Sequence, residues 1–196
     1  MTEAAAKGAF PMDMATSESG HVVQFYEQSP YLVDRVSSFI APGLKAGEAA
    51  IVIATPEHRE MIEVQLRAHG IDVSELRAQG AYVDLDASET MARFMVNGQP
   101  DRRRFVEVIG GTITRARPQA QFPIVRAFGE MVALLWAQGR QDAAIDVEEL
   151  WNELLGHHPF SLMCGYPIEG LGDPDSPTVR QMMASHTRAH PWEPRT

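Results

Sequence analysis

Cysteine is nearly absent from this chain: 196 residues contain one, Cys164. A lone thiol cannot close an internal disulfide, which excludes a disulfide-stapled secreted domain and points to a reducing cytoplasm. Long apolar runs are also missing. The longest, from Met131 to Ala137, falls far short of the ~20 residues that span a bilayer. The first residues, MTEAAAKGAFPMDM, carry no apolar core of a secretory signal. Basic charge is in deficit. A net charge of −9 opposes general nucleic-acid binding, which needs a basic face to release counterions, and opposes an anionic membrane as partner. Phosphate-loop motifs are absent too: there is no G-x-x-x-x-G-K-[ST], and no G-x-G-x-x-G after a strand. Nucleotide hydrolysis by a standard phosphate loop is thereby disfavoured. So are G-x-S-x-G and cysteine-protease chemistry, whose signatures do not occur.

What is present is ordinary for a globular protein, with 44% hydrophobic residues and a length suited to one domain. Residues 1–19 are small, polar and without apolar period, and read as a flexible arm. From there short apolar runs alternate with capped amphipathic stretches. HVVQFY (21–26) is followed by Ser29-Pro30, an N-cap and N1 pair opening a helix with Leu32, Val33, Val36, Phe39, Ile40 and Leu44 on one face. AAIVIA (49–54) is apolar throughout, as in a strand covered on both faces. Thr55-Pro56 opens the next helix, and a short helix is predicted over Val73 to Gln79.

A third strand is expected at 81–85, with Asp86, Ser88 and Glu89 opening a helix behind it. Asn97-Gly-Gln-Pro100 is a turn cluster. Asp101 caps a helix bearing Phe105, Val106, Ile109 and Ile113, weakened by Gly110-Gly111. Further strands are expected at 122–127 and 160–164, and helices at 129–138, across the apolar face Ala144, Val147, Leu150, Trp151, Leu154, Leu155, and at 176–190. Strands alternating with helices imply right-handed βαβ units. The expectation is a three-layer α/β/α domain around a mainly parallel sheet of about five strands.

Ligands of open parallel sheets bind beyond the strands' carboxyl ends. That rule selects Phe25, Tyr26, Thr55, His58, Asp86, Arg126, Phe128, Glu130, Cys164 and Tyr166. Aromatic walls with a few polar groups suit a small-molecule pocket, in which Arg126 orients a polar end and Glu130 holds Arg126. Each has a plainer reading. Arg126 and Glu130 form a structural ion pair, Asp86 caps a helix, and Cys164, Phe25 and Tyr26 pack in the core.

Other readings stay open. His21 and Cys164, with Glu130, offer soft N/S ligands for a metal- or redox-linked site, although the two lie at opposite strand edges on the simple rule. Asp84, Asp86 and Glu130 offer acid–base chemistry. His186 and His190 share helical spacing but read as solvated tail residues. His157-His158 suits a helix end, and Arg102-Arg103-Arg104 a solvated face. No cofactor is indicated.

Several segments together resemble the MEDS family, the methanogen/methylotroph DcmR sensory domain. They are HVVQFY (21–26), FIAPGLKAGE (39–48), IATPEHR (53–59), DLDA (84–87), FMVNGQPD (94–101), VRAFGEM (125–131), ELWN (149–152) and LMCGYP (162–167). The resemblance implies a non-catalytic sensory module of bacterial or archaeal signalling or transcriptional control. It implies a small organic ligand, with hydrocarbon derivatives proposed, and a degenerate RecA-like fold that lost its phosphate loop. It places the sensory domain at 20–170 and a tail with a helix at 171–196. Flanks this short are not expected to hold an output domain. A signal would therefore pass to a protein partner such as a histidine kinase or transcriptional regulator, or through a homo-oligomer. Met182 and Met183 mark the tail helix as a docking candidate.

Overall fold

The apolar runs become the strands of one sheet in the computed structural model, which describes residues 20–116, 118 and 124–190. The strands are β1 (His21–Tyr26), β2 (Ala49–Ala54), β3 (Tyr82–Asp86), β6 (Val125–Gly129), β7 (Phe160–Pro167) and β8 (Arg188–His190), in the order β3-β2-β6-β7-β1-β8. All pair in parallel. A separate antiparallel hairpin joins β4 (Met95–Val96) to β5 (Gln99–Pro100). Its turn is Asn97-Gly98, both at positive φ (50° and 83°), the conformation that an Asn-Gly pair favours in two-residue hairpins.

Helices cover both faces. Against one lie α1 (Ser29–Lys45), α2 (Pro56–Ala68) and α3 (Val73–Gln79), burying Leu32, Val36, Ile40, Ile62, Leu66 and Val73 over Ala50, Val52 and Phe128. Against the other lie α4 (Ala87–Ala92), α5 (Arg102–Phe105), α6 (Gly111–Arg115), α7 (Met131–Ala137), α8 (Gln141–Leu155) and α9 (Pro177–Ala184). Their apolar sides meet Ile51, Ile53, Ala127, Leu162 and Cys164. Trp151 is the hub of this second layer, edge-on to Phe105 with ring centroids 5.5 Å apart. Strands buried on both faces cannot alternate apolar with polar, which is why AAIVIA is unbroken. No helix among the described residues is long and apolar enough to cross a membrane.

Several expectations change in detail. The sheet has six strands rather than about five, because the segment expected as one helix over 176–190 stops at Ala184 and then supplies β8 along the open edge of β1. α1 begins at Ser29 with Gln28 as its cap, so Ser29 is not the cap; its hydroxyl is turned to His58 instead. A π-helical turn, Val106–Gly110, joins α5 to α6 at the weak glycines. Val108 is buried there, while Val106, expected on the apolar face, is exposed. β7 runs to Pro167, three residues past the expected end. Thr55 and Asp101 cap helices as expected, and Ser176 caps α9. Arg102 and Arg103 are solvated and paired with Glu153 and Glu107. The arm 1–19, and Phe122 and Pro123 of the fourth expected strand, lie outside the described residues.

Candidate functional site

The residues selected by the strand-end rule fall on two sides of the sheet. Side chains alternate along a strand, so Tyr26 and Phe128 pack beneath α1 and α2, while Phe25, Cys164 and Tyr166 pack beneath α7, α8 and α9. One pocket cannot hold them all. Tyr26, Thr55, His58 and Glu130 gather in one polar centre, Cys164 and Tyr166 in another, and Arg126 and Asp86 in neither.

The first centre is built on Glu130, which follows β6 and is buried. Its Oε2 accepts the Thr55 backbone N–H at 2.9 Å. Its Oε1 accepts from His58 Nδ1 at 2.6 Å and from the Tyr26 hydroxyl at 3.5 Å. The far nitrogen of His58, Nε2, lies 2.8 Å from Ser29 Oγ. It accepts the hydroxyl proton while the ring is neutral and donates to the oxygen once the ring is charged. The hydrogen bond to Glu130 raises the His58 pKa above 6.5, against the opposing effect of burial. Burial, then the Glu130 charge, push the Tyr26 hydroxyl well up. The relay thus ties the starts of α1 and α2 to the end of β6. Ser29, at its outer end, is partly exposed.

Arg126 is not part of this centre. It sits at the amino-terminal side of the sheet, opposite Ala50, and its ion-pair partner is Glu48 (2.5 Å) rather than Glu130. It also donates to the Phe39 carbonyl at 2.7 Å and lies over the Phe39 ring. Gly43 makes this possible: a Cβ there would stand 2.4 Å from Arg126 Nε. As the second residue of β6, Arg126 is too early in the strand to reach its carboxyl end, and its role is to join β6 to α1. Asp86 caps α4 by accepting from Glu89 N–H at 2.9 Å and faces Arg59. Asp84 is held between Arg59 and Arg77. Neither carboxylate is free for acid–base work.

The second centre lies beneath α8. His21, Glu148, Cys164 and His186 each turn one ligand-type atom inward, and those atoms all lie within 4.8 Å of one another. His21 Nε2 is 3.2 Å from Cys164 Sγ and 3.1 Å from Glu148 Oε2. The Cys164 thiol donates to Glu148 Oε2 at 3.4 Å, and the Tyr166 hydroxyl donates to Oε1 at 2.8 Å. Burial would raise the Glu148 carboxyl, but the imidazoles of His186 and His21 outweigh it and hold the group well below the usual carboxylate range. Burial, then the Glu148 charge, push the Cys164 thiol well up, so by itself it is an unreactive thiol.

Register explains why His21 and Cys164 meet. His21 stands opposite Leu162, which puts Cys164 one pleat further on and on the same face. Two members escaped sequence reasoning. Glu148 lies four residues after Ala144 and three before Trp151, a charge inside an apolar helical stripe, and that was its visible signal. His186, expected as a solvated tail residue, has a fully buried side chain because the tail folds back beside β1. His190 belongs to β8, and Glu130 takes no part in this centre. Met182 is buried against the domain and is withdrawn from any docking surface, whereas Met183 is exposed.

Comparison with curated proteins gives no match. Comparison with family models matches residues 20–187 to the MEDS description, MEthanogen/methylotroph, DcmR Sensory domain. The matched span takes in every strand except β8, together with all members of both polar centres, and the chain therefore belongs to the MEDS family of sensory domains.

Proposed function

We propose that this chain is a non-catalytic sensory domain that receives a small organic effector and passes the signal to a protein partner. The observation that carries this reading is the relay Ser29–His58–Glu130–Thr55, which couples a partly exposed hydroxyl to the starts of two helices. An effector with a hydrogen-bonding group that engages Ser29 competes for His58 Nε2. Its differential affinity for the two arrangements is what shifts α1 and α2. The helices, not a reacting group, are the output.

One observation favours a hydrolytic alternative: serine, imidazole and carboxylate stand in the order that activates a nucleophile. The backbone around Ser29 argues the other way. Pro30 has no N–H, and the N–H groups of Tyr31 and Leu32 are bonded to the Gln28 carbonyl. An oxyanion formed here would find neither of those two N–H groups free.

The test is a thermal-shift and native mass-spectrometry screen of small alcohols, ketones and carboxylic acids against the wild type and Glu130→Gln. Effector binding by the wild type, weakened about tenfold or more without the carboxylate, supports the reading. Binding that ignores the substitution sinks it.

A further inference from the structure

The centre beneath α8 has a chemistry that the relay does not use. We propose that His21, Glu148, Cys164 and His186 form a binding site for one thiophilic divalent cation of the zinc class. The ligands are the Nε2 atoms of both histidines, the Cys164 sulfur and the Glu148 carboxylate. This inference is independent of the effector reading above.

Spacing is the first support. An ion bonded at about 2.0–2.3 Å to four tetrahedral ligands holds them roughly 3.3–3.8 Å apart. The contacts of His21 with Glu148 (3.1 Å) and Cys164 (3.2 Å), of Cys164 with Glu148 (3.4 Å) and of His186 with the other Glu148 oxygen (3.2 Å) are near these values, and every pair lies inside 4.8 Å. Shifts within about 1 Å therefore admit the ion.

The tautomers are the second support. Asn152 Nδ2 donates to the Ser185 carbonyl at 2.7 Å, which turns its Oδ1 to His21 Nδ1 at 3.0 Å. An amide oxygen only accepts, so Nδ1 of His21 carries the proton. His186 Nδ1 faces the Met182 carbonyl at 2.8 Å and carries its proton for the same reason. In the neutral rings His21 Nε2 can accept from the Cys164 thiol at 3.2 Å, whereas the His186 Nε2 lone pair meets only a carboxylate, another acceptor. His186 Nε2 is fully buried, 3.2 Å from Glu148 Oε1, without an aligned hydrogen bond to any partner. A buried nitrogen left unpaired is costly, and an ion at the centre of the four groups satisfies it. Fixing Nδ1 by an outer acceptor is how proteins orient metal-binding imidazoles, and Tyr166 steadies the carboxylate likewise.

Charge is the third support. Binding the dication replaces the Cys164 S–H bond with a metal–sulfur bond and releases one proton to solvent, with no change of oxidation state. The thiolate and the Glu148 carboxylate then neutralise the ion, and both imidazoles stay uncharged. A ligand set of thiolate, two imidazoles and one carboxylate selects zinc-class ions over magnesium or calcium. Four protein ligands leave no open position, which fits a closed site rather than a hydrolytic one. Three ligands come from β1, α8 and β7, and the fourth from the link between α9 and β8. The ion thus fastens the C-terminal segment to the sheet.

The experiment uses the full chain, stripped with a chelator and titrated with Co²⁺, then with Zn²⁺ in competition. One equivalent of Co²⁺ is expected to give tetrahedral ligand-field bands and a thiolate-to-metal charge-transfer band, both erased by Zn²⁺. Cys164→Ser removes the charge-transfer band, and His186→Gln weakens affinity at least about tenfold. His157→Gln, at an exposed histidine, leaves binding unchanged. His186 lies in the link between α9 and β8 rather than in a central strand, so its variant serves even if Cys164→Ser does not fold. Folded wild type without saturable binding overturns the proposal. So does binding that His186→Gln leaves intact and His157→Gln reduces, which marks an adventitious surface site.

Discussion

Asn152 Oδ1 accepts from His21 Nδ1 at 3.0 Å, and through this one contact helix α8 sets the orientation of the first residue of β1. The same amide donates to the Ser185 carbonyl, so α8, β1 and the end of α9 meet at a single side chain. Replacing Asn152 with Leu leaves a buried imidazole N–H and a carbonyl without partners. We expect a loss of about 1–3 kcal/mol in urea unfolding, with faster amide exchange confined to α9 and β8. Unchanged exchange there would show that the amide does not hold the segment.

His58 makes stability depend on pH with a definite sign. Its pKa in the fold is raised above the unfolded value of 6.5, chiefly by the hydrogen bond to Glu130, with Glu57 adding to it and burial opposing it. The group therefore contributes stability that is complete below 6.5 and fades as pH rises through the folded value. The urea midpoint should fall across that range in the wild type and stay flatter in Glu130→Gln. Tyr26, the other titratable neighbour, is pushed up and does not charge there.

Gly43→Ala tests the Arg126–Glu48 pair. The added carbon would meet both Arg126 Nε and Glu48 Oε2 at 2.4 Å, and these atoms are locked to each other. We expect destabilisation of about 1–3 kcal/mol by thermal or urea denaturation. A neutral result would mean that the pair moves aside freely.

Ser29 should not behave as an activated nucleophile. A fluorophosphonate probe is expected to leave the folded chain unlabelled, since Pro30 has no N–H and the N–H groups of Tyr31 and Leu32 are already bonded to the Gln28 carbonyl. Stoichiometric labelling at Ser29 would restore the hydrolytic reading.

β2 was legible because burial on both faces leaves nothing else to write there, and β1, β3, β6 and β7 because short, mainly apolar runs stand between turn and cap signals. β8 was not, since Arg-Ala-His carries no pattern and is a strand only because β1 offers it an edge. Caps at Thr55 and Asp101 were legible because the interaction is local. Pairings between distant residues were not. Arg126 found Glu48 instead of Glu130, and His21 reached Cys164 through strand register, which no spacing along the chain reveals. His186 was the hardest, as its burial depends on the whole C-terminal segment folding back.

The position of β1 has a consequence for how the chain is made. Its neighbours are β7 and β8, so the first strand synthesised pairs with the last two. While β2, β3 and β6 can begin a sheet as they emerge, β1 must wait, apolar and unpaired, until residue 160 and beyond has been translated. Such long-range closure is slow and leaves strand edges exposed in the meantime. The nascent chain up to β7 is thus the stage at which a chaperone, or a second nascent copy, would find β1 open.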